Sequence, residues 1–181
     1  MLRNGIITAN FYEPRPLSNP GEHEHGAVDI IQGRGQSPLV YSLVEGTLIA
    51  RVIRRPPQGA WSNNEKLGIT SDPVHLYFED IYGGIITIEE DSGRYHILAH
   101  FYVSQLHKRF GLSEYTETVA DSRWPVHMWK SKEVRVQVGE PLINIGNAGY
   151  STGPHLHWEI HHSRTLDPYS ERLNPEVEYV L

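Results

Sequence analysis

Apolar residues in this chain come in short bursts. Runs rich in Val, Ile, Leu and Tyr occupy residues 27–31, 38–44, 47–54, 74–79, 84–90, 94–101, 133–138, 141–145 and 155–161. Each has the length of a strand and is bounded by turn-forming residues. Gly33, Gly46, Gly83, Gly93, Gly139, Gly146 and Gly153 are among the glycines that mark the breaks. The run EEDSGRYH reads as a hairpin with Asp91-Ser92-Gly93 at its tip. No helical period lasts beyond two turns; Val103–Phe110 reads equally as a short helix or as loop. The pattern predicts a mainly β chain. Two segments break it. Residues 54–73 are loop-like, with paired prolines and Asn-Asn, and residues 111–132 mix Trp124, Met128 and Trp129 with polar residues in no period. Loops this long inside a domain tend to carry function, and the tryptophans read either as exposed contact residues or as plugs for the core.

Composition narrows the classes. A chain of 181 residues supplies one domain with a real core rather than two. The net charge is −6 with histidine neutral, and Lys and Arg are scattered, so there is no footprint for nucleic acid. With no cysteine, thiol nucleophiles, disulfides and cysteine-zinc sites all drop out, and any metal must be held by His, Asp and Glu. No stretch approaches the roughly 20 apolar residues that span a bilayer. MLRNGIITANFYEPRPLSNPG lacks the apolar run of a secretory signal, so the expectation is action where the protein is made, or delivery by another route.

The eleven histidines cluster. In GPHLHWEI, residues 153–160, a turn leads into a strand. Residues i and i+2 of a strand share a face, so His155 and His157 stand side by side with Leu156 and Trp158 opposite. HEHGAVD gathers His23, His25 and Asp29, YHILAHF holds His96 and His100, and His161 and His162 follow the first pair. A catalytic zinc site takes three protein ligands and keeps a fourth position open. His-x-x-x-Asp with a distant His-x-His meets that demand, although each piece alone is weak and a His-x-His is more often a surface pair. Other chemistries lack their marks. There is no His-Glu-x-x-His and no Gly-x-Ser-x-Gly, and GRGQ at 33–36 is no phosphate loop. Glu79-Asp80 and Glu89-Glu90 alternate faces and read as solvated edges.

Together the pieces resemble the lysostaphin-type zinc endopeptidases, which cut peptide bonds of bacterial peptidoglycan. The resemblance rests on HGAVDI (25–30), ILAHF (97–101), VGEPLINIGNAGYSTGPHLHWEI (138–160) and NPEVEYVL (174–181), in the family's order. SPLVYSLVEGTLIA (37–50) and YGGIITIEEDSGRYHILAHF (82–101) resemble its intervening strands. The resemblance implies a single domain over 21–181, after an extension at 1–20, with insertions near 54–73 and 111–132 and antiparallel sheets forming a groove. It implies His25, Asp29 and His157 as ligands of Zn2+, and His100 and His155 as the two cleft histidines that handle the reacting proton and the developing oxyanion, in either order. His96 reads as supporting the site from the face of His100, His23 as a weaker rival to His25, and His161 and His162 as surface or supporting residues. His75, His107 and His127 have no argued role. Two departures stand out. The family's glycine falls two residues after the first ligand, where this chain has Ala27 and places Gly26 one residue earlier. The tyrosine that some members carry before the first ligand is replaced by LSNPGE; Tyr12, Tyr102 and Tyr150 are the tyrosines that could stand in, and none of them is favoured.

The expected function is hydrolysis of peptidoglycan peptides by a metal-activated water, at the bacterial cell wall. The alternative is a non-catalytic wall-binding or structural module. A component of a phage tail or related particle, docked through 111–132, is compatible with either. The bond cut is open among glycine bridges, D-amino-acid cross-links and stem peptides.

Overall fold

The sheet that organises the protein is built around one alternating strand, Leu156–His161. In the computed structural model the described residues are 5–10, 26–33, 38–55, 77–117, 126–162 and 172–179. They form β1 (Gly5–Ala9), β2 (Val28–Gln32), β3 (Leu39–Tyr41), β4 (Gly46–Ile53), α1 (Glu79–Tyr82), β5 (Gly84–Glu90), β6 (Tyr95–Phe101) and α2 (Val103–Phe110). Then follow β7 (Ser113–Glu117), β8 (Val126–Lys130), β9 (Val134–Val136), β10 (Pro141–Asn144), β11 (Leu156–His161), β12 (Arg172–Leu173) and α3 (Pro175–Glu178). Ten strands join in the order β1-β2-β11-β6-β5-β4-β8-β7, with β12 beside β11 and β9 beside β4, and β3 pairs with β10. All these pairs are antiparallel, so the mainly β expectation holds.

Alternation sends opposite chemistry to the two faces. On one face Val28, Ile30, Leu48, Ala50, Ile86, Leu98, Leu156, Trp158 and Ile160 pack with Val40, Leu142 and Ile143 of the β3–β10 pair into the larger core. Burying side chains of this size gives about 1.5–3 kcal/mol each. On the other face Ile53, Ile85, Tyr95, Ile97, Ala99 and Met128 form a smaller cluster with Tyr77 and Phe78. That second face also carries the polar side chains of β11.

Several local expectations change. Within residues 111–132, read as loop, β7 pairs with β8, which extends the sheet beside β4. Met128 is buried in the smaller cluster and the half-buried Trp129 packs against the larger core; Trp124 lies outside the described residues. Within 74–79, Phe78 makes a single bridge to Ile53 and Glu79 starts α1, whose first turn carries Glu79 and Asp80. Carboxylates there favour the positive end of a helix. Residues Gly5–Ala9, in the segment read as an extension, pair with β2 as an edge strand. Val103–Phe110 is helical, closed by Gly111 in the left-handed region with His107, Lys108 and Arg109 in its last turn. Glu90 is no solvated edge: it accepts from Tyr179 Oη (2.7 Å) and from His96 Nε2–H (2.6 Å), while Arg94 pairs with Glu178 at 2.7 Å. These contacts fasten α3 to the β5–β6 hairpin.

Candidate active site

Strand β11 lines up His157, Glu159 and His161 on the second face, and its register sets His157 between Asp29 of β2 and Ala99 of β6. Residues directly opposite across antiparallel strands share a face. Asp29 and His157 therefore meet, with Oδ1 and Nδ1 3.0 Å apart. The His155 ring sits beside them, its Nε2 3.6 Å from Asp29 Oδ1.

His100 reaches the same place by a different device. Strict alternation along β6 would put it with Leu98 and His96, facing the larger core. Between the pairs Gly84↔Phe101 and Ile86↔Leu98, however, Ala99 and His100 together oppose the single residue Ile85. This bulge, with His100 at φ 69, turns the side chain over. Its ring centroid lies 4.6 Å from that of His155 and 5.5 Å from that of His157. A β6 residue in the left-handed region costs on the order of 1–3 kcal/mol and persists only where its surroundings hold it. Here the hold is reciprocal: His100 Nδ1–H donates to the Ala148 carbonyl (2.9 Å) and Ala148 N–H donates to the His100 carbonyl (3.1 Å). The loop comes this close because residue 146 is glycine; a Cβ there would fall 2.2 Å from the His100 carbonyl oxygen. His96, expected on the face of His100, lies on the other one. It accepts from Trp158 Nε1–H at 3.2 Å and is stacked with that ring.

The hydrogen bonds fix the tautomers. A backbone carbonyl only accepts, so His100 carries its proton on Nδ1. His155 does likewise, donating Nδ1–H to the Gly153 carbonyl at 2.8 Å with Ser151 Oγ at 3.2 Å. Both rings keep Nε2 for other chemistry. Burial, with the neighbouring His157, lowers the His100 pKa to about 4, so this ring is neutral near pH 7.

Beneath them lies Glu159, 1% exposed. Its Oε1 accepts from His157 Nε2–H (2.8 Å), and its Oε2 from Tyr77 Oη–H (2.6 Å) and His161 Nε2–H (3.0 Å). Arg172 Nε stands 3.4 Å from the same Oε2. Burial opposes ionisation, yet the charge of Arg172 and the bonds from His157 and His161 hold the Glu159 carboxyl well below the usual range. Burial would strip His157 of its proton, but Asp29 and Glu159 overcome that and raise its pKa to about 9. His161, read as surface or supporting, is fully buried on Glu159, whereas His162 is exposed. Sequence reasoning misses Glu159, although it keeps step with His155 and His157. It misses the aromatic ring beside the centre too. Tyr82 meets His157 edge-on at 5.9 Å, while Tyr150 is 85% exposed and Tyr12 lies outside the described residues.

Among the described residues no three His, Cys, Asp or Glu side chains gather into a metal site, and His23 and His25 lie outside them. The donors in view fit zinc. A carboxylate oxygen and an imidazole nitrogen face each other, and the far nitrogen of that imidazole rests on a buried carboxylate, the usual support of a metal-binding histidine. No helix among the described residues is long and apolar enough to cross a membrane.

No family profile and no curated protein matches the chain by sequence. Solved structures do match. One is the catalytic domain of the antimicrobial peptidase lysostaphin from Staphylococcus simulans, at TM-score 0.50 and 20% identity, covering 97% of this chain and 92% of that one. Another is a chain of the SpoIIIAH–SpoIIQ complex, at TM-score 0.51 and 15% identity, covering 97% and 93%. At these identities the likeness is one of fold. The chain has the fold of the lysostaphin catalytic domain, as the sequence resemblance implied.

Proposed function

We propose that this chain is a zinc-dependent endopeptidase of the lysostaphin type that hydrolyses peptide bonds of bacterial peptidoglycan. His25, Asp29 and His157 hold the metal, and His100 and His155 act on the reacting groups. The observation that carries this reading is the pair of cleft histidines. Each is pinned through Nδ1–H to a backbone carbonyl, keeping Nε2 for the reaction, beside an Asp29–His157 pair braced by a buried carboxylate. The fold and the four matching sequence stretches support the substrate class.

Zinc, when bound, lowers the pKa of water from 15.7 to about 7 and polarises a carbonyl. The chain's own residues supply the rest. His157 would hold the metal through Nδ1 once that nitrogen had lost its proton, with Glu159 holding the proton on Nε2 and fixing the ring plane. His100, whose Nδ1–H is held by the Ala148 carbonyl, accepts a proton at Nε2 and returns it to the leaving amine. His155 acts through Nε2 on the oxygen on which charge develops. General acid–base work of this kind contributes typically 10²–10⁴-fold. The Nδ1–H tautomer of His100 matters because a ring flipped to the other tautomer would present a proton where a lone pair is required.

The test is digestion of peptidoglycans of different cross-link type, with products identified by mass spectrometry and the His157→Ala variant run beside the native chain. New amine-ended fragments, absent with the variant, are the expected result and name the bond. A native chain that binds zinc yet cuts none of the peptidoglycans overturns the catalytic reading in favour of a wall-binding module.

A further inference from the structure

Arg172 opens β12, the two-residue strand that continues the sheet at the end of β11 through the pair His161↔Arg172. Its side chain is 19% exposed, and Nε approaches Glu159 Oε2 to 3.4 Å. Gly26 lies directly beneath. A Cβ on Gly26 would fall 1.9 Å from Arg172 Nη1, 2.7 Å from Cδ and 2.8 Å from Cζ. The guanidinium thus rests on the bare backbone of the residue that follows His25 and precedes Asp29 by three. One cation touches both the segment bearing two of the proposed ligands and the carboxylate that holds the third.

We infer that Arg172 is a positioning residue for the metal centre, and that position 26 is glycine because the guanidinium fills the space a side chain would take. The inference rests on the function proposed above. It also accounts for the displaced glycine. In the lysostaphin-type pattern the glycine stands where this chain has Ala27, and here the contact with Arg172 demands it one residue earlier. Arginine suits this position, since a planar, permanently charged fork lies flat on a backbone while keeping a donor toward a carboxylate. Any Cβ at position 26 must push that fork away, and Glu159 then loses its cation while still carrying three hydrogen bonds. The His157 ring it supports becomes less firmly held.

The experiment measures zinc affinity by competition with a chromophoric chelator for the native chain, Gly26→Ala, Arg172→Ala, Arg172→Lys and the Gly26→Ala/Arg172→Ala double variant. Circular dichroism and urea unfolding of each metal-free protein run alongside. Disturbing a partner behind a metal-binding histidine typically weakens affinity about 10–100-fold, and that loss is expected for Gly26→Ala and Arg172→Ala separately. The double variant is expected to be no weaker than Arg172→Ala within about threefold, because removing the guanidinium frees the space that the added methyl needs; coupled sites fail additivity in this way. Arg172→Lys, which keeps the charge, recovers part of the loss. Native affinity in Gly26→Ala, or losses that multiply in the double variant, overturns the inference. So does an affinity change fully accounted for by loss of the metal-free fold. A native chain that binds no zinc overturns the functional reading and this inference with it, whereas a zinc-binding native chain with an indifferent Gly26→Ala overturns this one alone.

Discussion

Gly146→Ala isolates the device that sets His100. The added methyl would lie 2.2 Å from the His100 carbonyl oxygen, 2.9 Å from Phe101 Cα and 3.0 Å from Tyr102 N. All three are backbone atoms, so no side chain can swing aside. Restoring ordinary contact requires the 145–149 loop and the end of β6 to part by about 1 Å. That separation strains three hydrogen bonds: His155 N–H to the Gly146 carbonyl (3.3 Å), Ala148 N–H to the His100 carbonyl (3.1 Å) and His100 Nδ1–H to the Ala148 carbonyl (2.9 Å). At about 1 kcal/mol each they amount to roughly 3 kcal/mol. Gly146 is not in the left-handed region, so alanine returns about 0.4–1 kcal/mol through the unfolded chain. The net loss is about 2 kcal/mol, read as a lowered urea midpoint at unchanged slope. Misplacing a catalytic ring by 1 Å costs on the order of 10²-fold in rate, read as kcat/KM on a cleavable cross-linked peptide. Zinc affinity stays near native, because neither Asp29 nor His157 contacts the loop through these bonds. Native stability together with rates within threefold of native would refute the reasoning, as would a fall in zinc affinity matching the fall in rate.

Other outcomes follow from the same geometry. Glu159→Gln keeps the shape but removes the charge from a site where Tyr77 is held as a donor by its raised pKa; breaking such a buried pair costs about 3 kcal/mol in urea unfolding, and zinc affinity drops about 10–100-fold. Equal affinity in Glu159→Gln would mean that His157 is positioned by other means. Met128→Ala, at a residue 2% exposed, loses about 3 kcal/mol, so an unaffected variant would show that the β7–β8 hairpin is not part of the folded unit. Hydrogen bonds from His96 and then Tyr179 outweigh burial and lower the Glu90 pKa from 4.5 to about 2. A depressed carboxyl contributes stability above its unfolded pKa and loses it as pH falls through the folded one, so native stability should decline between about pH 4.5 and 2. Unfolding of Glu90→Gln across that window should show a shallower decline, and an identical slope would place the acid sensitivity elsewhere.

What the sequence made legible depended on period. β11 keeps strict alternation, so the residue pattern alone places His155 and His157 on one face and Leu156, Trp158 and Ile160 on the other. His100 could not be placed that way. Its bulge is held by the close approach of Gly146, which lies far off in the chain and comes near only in the fold. The β7–β8 pair hid because the edge strand SEYTE and its neighbour VHMWK mix charge with aromatic residues and leave no clean alternation. Glu159 hid because a buried carboxylate looks like any other in a sequence; the cue was its two-residue spacing from His157, read against a strand already assigned. Gly26 and Arg172 are separated by most of the chain, and no local pattern joins them.

The alternation of β11 has a consequence for how the protein is made. Slipping that strand by one residue against β2 and β6 would exchange the whole set, turning Trp158 and Ile160 toward the polar face and Glu159 and His161 into the larger core. No half-measure exists between the two pairings, and the wrong one buries a carboxylate among aliphatic groups. Choosing the core and setting His157 on Asp29 and Glu159 are therefore one choice of register.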